Sequence, residues 1–164
     1  MSEREISYVQ ALNKALHEEM ARDLDVFIMG EDIGLGKGTL GVTEGLRDEF
    51  GPERGRNSPI SEQALVGSAL GASLTGSRPI VELMFIDLLG VCGDQVANQI
   101  AKAAYMSGGK ARPALVIRTQ QGVGLGLAAQ HSQSLEAWLV HIPGLIVVAP
   151  STPYDAKGLL KTAV

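Results

Sequence analysis

Four stretches of the chain carry residue types that can do acid–base chemistry, and three of them stand where apolar runs end. GED places Glu31 and Asp32 directly after DVFIMG (25 to 30), Met84 to Leu88 close the run PIVELMF (79 to 85), and the loop at 120 to 131 brings His131 after ALVIRT (114 to 119). The fourth, SPISEQALVGSALGASLTG (58 to 76), opens a series of small apolar residues at Glu62. Glu62 admits two readings. With Ser61 as N-cap it is a first-turn acid facing the helix dipole, worth ~0.3–1 kcal/mol. Alternatively it is the acid that the segment exists to position. His131, an imidazole able to donate or accept near pH 7, is either a reactive loop residue or one satisfied by backbone. His17 and His141 stand in helical or helix-end contexts and read as structural, Met84 and Leu88 as core, and Glu31 and Asp32 as a solvated strand end unless a ligand comes to them.

The elements that must position these groups follow from periodicity. YVQALNKALHEEMAR (8 to 22) sets Val9, Leu12, Leu16 and Met20 on one face of an amphipathic helix. DVFIMG, PIVELMF, ALVIRT and GLIVVAP (144 to 150) are short apolar runs without polar alternation, the pattern of strands buried on both faces of a parallel sheet. GVTEGLRDEF, EQALVGSALGASLTG and VCGDQVANQIAKAAY between them read as helices, a further helix starts near Ser134, and TPYDAKGLLKTAV closes the chain as another. The expected fold is a three-layer α/β/α sandwich around a mostly parallel sheet. Val66, Leu70 and Leu74 are expected to anchor the helix after Glu62, with Gly67 and Gly71 allowing close approach. In such sheets ligands bind beyond the carboxyl ends of the strands, which is where Glu31, Met84, Leu88 and His131 fall.

Several chemistries are excluded. GKGTLG (36 to 41) matches G-x-G-x-x-G, but GEDIGL separates it from its strand and no strand ending in an acid follows at the required distance, so a dinucleotide site is not supported. GVGLGLAAQHSQS (122 to 134) lacks the Lys-Ser/Thr of a phosphate loop. The single Cys92 sits among apolar residues as a buried thiol and can form no internal disulfide. A net charge of -4 leaves no basic footprint for nucleic acid, and no apolar run reaches the ~18 residues of a membrane span. The polar start MSEREIS is no signal peptide, so a cytoplasmic location is expected. At 164 residues the chain is the size of one domain, and since it runs helical to Val164 it is expected to be a piece of a longer protein.

Taken together, FIMGED, GVTEGL, EFGPER, SPISEQALVGSALGASLTGSRPIVELMFIDL, DQVANQIAK, YMSGG, LVIRT, AQHSQSLEAW and STPYDAKGLL resemble the β-subunits of the thiamine-diphosphate-dependent first component of 2-oxo acid and acetoin dehydrogenase complexes. The resemblance runs in family order over almost the whole chain. It implies that residues 1 to 164 are the N-terminal, pyrimidine-binding (transketolase-like) domain, with the family's C-terminal domain absent. Glu62 then looks like the glutamate that bonds a ring nitrogen of the cofactor's aminopyrimidine, promoting the imino tautomer that deprotonates the thiazolium. His131 looks like the histidine near the substrate and the acyl-transfer step. Glu31, Ile60, Met84 and Leu88 match positions lining the pyrimidine pocket. Many relatives carry an aromatic where this chain has Leu88, so ring stacking is lost; Asn57 replaces a common acid.

The implied function is oxidative decarboxylation of pyruvate or a related 2-oxo acid, or acetoin cleavage, with acyl transfer to a lipoyl group. LMFIDLLGVCGDQ, GGKARPALVIRT and HIPGL lean toward pyruvate or acetoin. Thiamine diphosphate is the implied cofactor, with diphosphate and magnesium bound mainly by an α-subunit in a heterotetramer. Potassium held by backbone carbonyls near Leu115 and Ala163 occurs in some relatives. Further implied partners are the lipoyl domain and core of the acyltransferase. The alternatives are a non-catalytic assembly domain of the same fold and a fragment of another thiamine-dependent, transketolase-like enzyme.

Overall fold

The computed structural model describes residues 5–124 and 126–164. Its centre is a four-stranded, all-parallel sheet in the order β2-β1-β3-β4, formed by β1 (Val26–Gly30), β2 (Gly55–Asn57), β3 (Arg78–Leu83) and β4 (Val116–Thr119). Side chains alternate across a strand, and in the two central strands, β1 and β3, both sets are buried. Val26, Ile28 and Ile80 point into one core, whereas Val81 and Leu83 point into a second, with Met29 packed against it. That double burial is why the apolar runs show no polar alternation.

The first core is closed by α1 (Tyr8–Arg22) and α6 (Pro153–Ala163), which pack Leu12, Ala15, Leu16, Met20, Ala156 and Leu160 onto the sheet. Ser7 and Gln10 form a reciprocal capping box at the start of α1, and Thr152 accepts from the Asp155 backbone N–H at the start of α6. Val9 departs from the expected stripe and lies at the surface. The Arg54 guanidinium donates to the carbonyls of Met20, Asp23 and Val26, tying the turn between α1 and β1 to the strand that follows.

α3 (Glu62–Leu74) closes the second core with a π turn (Gln95–Ile100) that runs into α4 (Ala101–Met106). The buried stripe of α3 is Leu65, Val66, Ala69 and Ser73; Leu70 is only partly covered and Leu74 faces solvent, so the expected anchoring row is shifted by one residue. A Cβ at Gly71 would meet nothing within 4 Å, and one at Gly67 would make an ordinary 3.7 Å contact with Gln95, so neither glycine is required by close packing. Gly30 is: a Cβ there would come within 2.7 Å of the Cβ and carbonyl of its register partner, Glu82.

Three expectations change. GLIVVAP forms no ladder: Gly144 ends a turn at φ +102° and residues 145 to 150 carry no regular structure, with Ile146 96% exposed and the Tyr8 hydroxyl donating to the Pro150 carbonyl at 2.8 Å. The helix expected over 41 to 50 contracts to α2 (Leu46–Phe50), because Gly41 and Gly45 turn the chain at φ near +80°. The helix near Ser134 becomes α5 (Glu136–Val140). Among the described residues no helix is long and apolar enough to cross a membrane.

Candidate active site

In the order β2-β1-β3-β4 the chain leaves β1 toward β2 on one side and leaves β3 toward β4 on the other, so a crevice opens at the carboxyl ends of β1 and β3. Glu31 follows β1 directly, and Asp32, at φ +60°, turns the chain away behind it. The Ser58 backbone N–H donates to the Gly30 carbonyl, and the Ser61 N–H donates to Glu31 Oε1 at 3.3 Å. Those two bonds bring the start of α3 to the end of β1. Ser61 stands at the cap position but its hydroxyl makes no cap bond, which corrects one half of the helix-start reading.

Glu62 is the first residue of α3 and is 7% exposed. Four glutamates are buried among the described residues: Glu19, Glu31, Glu62 and Glu82. Glu19 pairs with Arg22 and Lys161, and Glu82 is gripped by both sides of the Arg118 guanidinium. Among the described residues Glu31 and Glu62 have no basic partner, and they lie together at the rim. Burial pushes the Glu31 carboxyl up, the Glu62 charge pushes it further, and the Ser61 N–H works against both. A buried charge without a counter-charge is costly in a finished structure, which sets this pair apart from Glu19 and Glu82.

Met84 follows β3, and its sulfur accepts from the Thr39 hydroxyl at 2.6 Å, so the glycine-rich loop at 36 to 41 folds over the crevice. Leu88 lies in a 3₁₀ turn (Ile86–Gly90) and packs against the second core. Ile60 is 83% exposed and is not gathered in with the others. His131 closes a short 3₁₀ turn (Ala129–His131) and stands edge-on to Phe85, ring centroids 5.1 Å apart. Asp87, inside the predicted stretch but without an expected role, accepts from Gln133 in the His131 loop. His17 is structural as expected, bonded to Glu49 and stacked near Phe50. Cys92 is buried; its thiol is pushed up to about 11 by burial, with the Glu62 charge adding to it, and it is therefore inert as a nucleophile.

Five buried side-chain atoms lack a hydrogen-bond partner among the described residues: Ser58 Oγ, Asp87 Oδ2, Gln95 Oε1, Gln120 Nε2 and Glu136 Oε2. Ser58 and Gln120 stand immediately after β2 and β4, and Asp87 just beyond β3, so unmet polar capacity collects on the carboxyl side of the sheet. Away from the crevice, Leu115 and Ala163 line one cavity of about 20 Å³, whose wall includes Arg78; its guanidinium donates to the Val164 carbonyl. A cation already occupies that wall.

The pyrimidine binding domain of transketolase matches residues 4–164. The chain is 52% identical to the β-subunit of acetoin:2,6-dichlorophenolindophenol oxidoreductase from Cupriavidus necator, covering 98% of this chain and 50% of that one. It is 45% identical to the 2-oxoisovalerate dehydrogenase β-subunit of Bacillus subtilis, covering 97% and 49%. It is 44% identical to the pyruvate dehydrogenase E1 component β-subunit of Staphylococcus epidermidis, covering 98% and 49%. The chain thus spans about half the length of the curated relatives it matches. Its fold matches a solved split-gene transketolase, described as an inactive beta4 tetramer, with a TM-score of 0.72 at 24% identity, over 98% of this chain and 48% of that one.

Proposed function

We propose that this chain, which belongs to the transketolase pyrimidine-binding domain family, is the pyrimidine-binding part of a β-subunit of a thiamine-diphosphate-dependent 2-oxo acid or acetoin dehydrogenase. The observation that carries the reading is Glu62: a buried carboxyl at a helix start, in the switch-point crevice, beside Glu31 and without a cation among the described residues. When bound, thiamine diphosphate supplies the electron sink that lets a bond beside a carbonyl break. Glu62 would hydrogen-bond the aminopyrimidine and exchange a proton with it. Glu31, held by the Ser61 N–H, keeps a second negative group beside Glu62. Met84 would line the pocket, Leu88 would offer an aliphatic surface in place of an aromatic ring, and Ile60 would have to fold inward to reach it. His131 would serve the substrate side.

Glycine loops without a phosphate-binding signature fit a chain that leaves diphosphate and magnesium to an α-subunit, the partner this reading requires, with a lipoyl domain as acyl acceptor. Potassium at Leu115 and Ala163 is not carried forward, because Arg78 already places a positive charge in that wall. The non-catalytic alternative draws support from apolar side chains such as Tyr105, Val123 and Ile146, exposed at 88%, 88% and 96%.

The deciding experiment combines the chain in its full-length form with a cognate α-subunit, thiamine diphosphate and magnesium. Turnover is then measured on pyruvate, branched-chain 2-oxo acids and acetoin. Turnover that requires both subunits, with acetoin or pyruvate preferred, supports the proposal. Assembly with no turnover on any of the three favours the non-catalytic domain.

A further inference from the structure

Phe85 and Asp87, two residues apart beyond β3, meet His131 and Gln133, two residues apart in the loop beyond β4. The His131 ring stands against Phe85 with planes at 79°. One step along both segments, Asp87 Oδ1 accepts from the Gln133 backbone N–H at 3.2 Å and from Gln133 Nε2 at 2.7 Å. The Gln133 carbonyl in turn accepts from the Gly122 N–H, and the Ile86 N–H donates to the Gln120 carbonyl, so the loop is stitched to the rim at both ends. Burial pushes the Asp87 carboxyl up, but the two Gln133 donors and the neighbouring His131 outweigh it and hold the group below its ordinary value. Its second oxygen, Oδ2, is buried with no partner among the described residues.

We propose that Asp87 is the positioning residue for His131, its carboxylate fixing Gln133 and so setting where the imidazole stands at the crevice. An aromatic edge contact sets a distance; two hydrogen bonds to one charged oxygen set the register of the loop that carries the ring. The inference rests on the reading of His131 as the substrate-side residue.

The test compares Asp87→Leu with the conservative Asp87→Asn in the assembled complex with α-subunit, thiamine diphosphate and magnesium, and in the full-length chain without cofactor. In the complex, Asp87→Leu is expected to lower kcat for acyl transfer by about 10²-fold, the order of loss from a small misplacement, with KM and cofactor affinity nearly unchanged. Asp87→Asn, which keeps one acceptor, should restore part of that loss. Without cofactor, the Gln133 amide should lose hydrogen-exchange protection and the His131 ring resonances should move away from their Phe85-shifted positions. If Asp87→Leu fails to fold, Asp87→Asn carries the same readouts. Unchanged Gln133 exchange and unchanged His131 resonances overturn the proposal. So does a loss confined to thermal stability and cofactor affinity with kcat intact. Should the wild-type complex not turn over, the functional reading fails while exchange and resonances still decide the placement.

Discussion

Glu82 and Glu62 are both buried carboxylates, yet their surroundings are opposite. Glu82 lies within β3, directly across the ladder from Arg118 in β4, and both oxygens are taken by the guanidinium. Glu62 stands where α3 starts, beyond the strands, next to a second acid and with no base among the described residues. Inside the sheet, charge is cancelled by a neighbour fixed by register; at the rim it is left open to whatever enters the crevice. Burial alone therefore does not mark a reactive group. Burial without a counter-charge is what separates Glu62 from Glu82.

The largest effect that tests this contrast is on activity. Glu62→Gln should lower turnover of the assembled complex by at least ~10²-fold, the usual range for a lost acid–base group. Its thermal unfolding should be unchanged or slightly raised, because a like charge beside Glu31 has been removed. Activity near wild type would break the comparison at its reactive end. At the other end, Arg118→Met should destabilise the chain by about 3–5 kcal/mol in urea unfolding, because it strands Glu82. Removing both charges with Glu82→Leu and Arg118→Met should recover most of that cost, and no recovery would show that the pair does more than cancel charge.

A smaller effect sharpens the rim. Glu31 is held above its ordinary value of 4.5, so just above that pH the folded chain keeps a proton that the unfolded chain has lost. Folding stability therefore falls as pH rises through that window. The gap between the melting temperatures of Glu31→Gln and wild type should be more favourable to the variant at pH 7 than at pH 4; an equal gap at both would remove Glu31 from the strained pair. The smallest effect belongs to Glu18 on the outer face of α1, bonded to Lys157 and Lys161 of α6. Those hydrogen bonds hold its carboxyl down at about 2, so its contribution is complete above the ordinary 4.5 and lost as pH falls toward 2. It is a third exposed, so Glu18→Gln should cost no more than ~0.5–1 kcal/mol and less at high salt.

How much of this was legible in the sequence depended on the kind of force involved. β1 and β3 are readable as apolar runs because two buried faces leave a local mark, and the half-buried β4 is apolar enough to show the same pattern. GLIVVAP carries the same mark, yet it forms no ladder and Ile146 and Val148 are exposed, so an apolar run by itself specifies neither burial nor a hydrogen-bond partner. β2 is three residues, Gly-Arg-Asn, with no apolar signal; it is a strand because β1 pairs with it and because Gly55 carries no Cβ, which would come within 2.7 Å of the Arg47 Cα. Glu31, Met84 and His131 could be found by asking which residues end strands. Glu62 follows no long strand, and only the resemblance raised it above a helix-start acid. The Glu82–Arg118 and Asp87–Gln133 contacts, 36 and 46 residues apart, leave no local trace.

Gly30 joins the two carboxylate environments. It faces Glu82 across the ladder with no room for one added carbon, and it immediately precedes Glu31. Any side chain there would push on the charge-cancelled interior and on the open rim in the same stroke. The two regions are therefore joined at one backbone position, and a single added methyl group would be felt as far as both carboxylates.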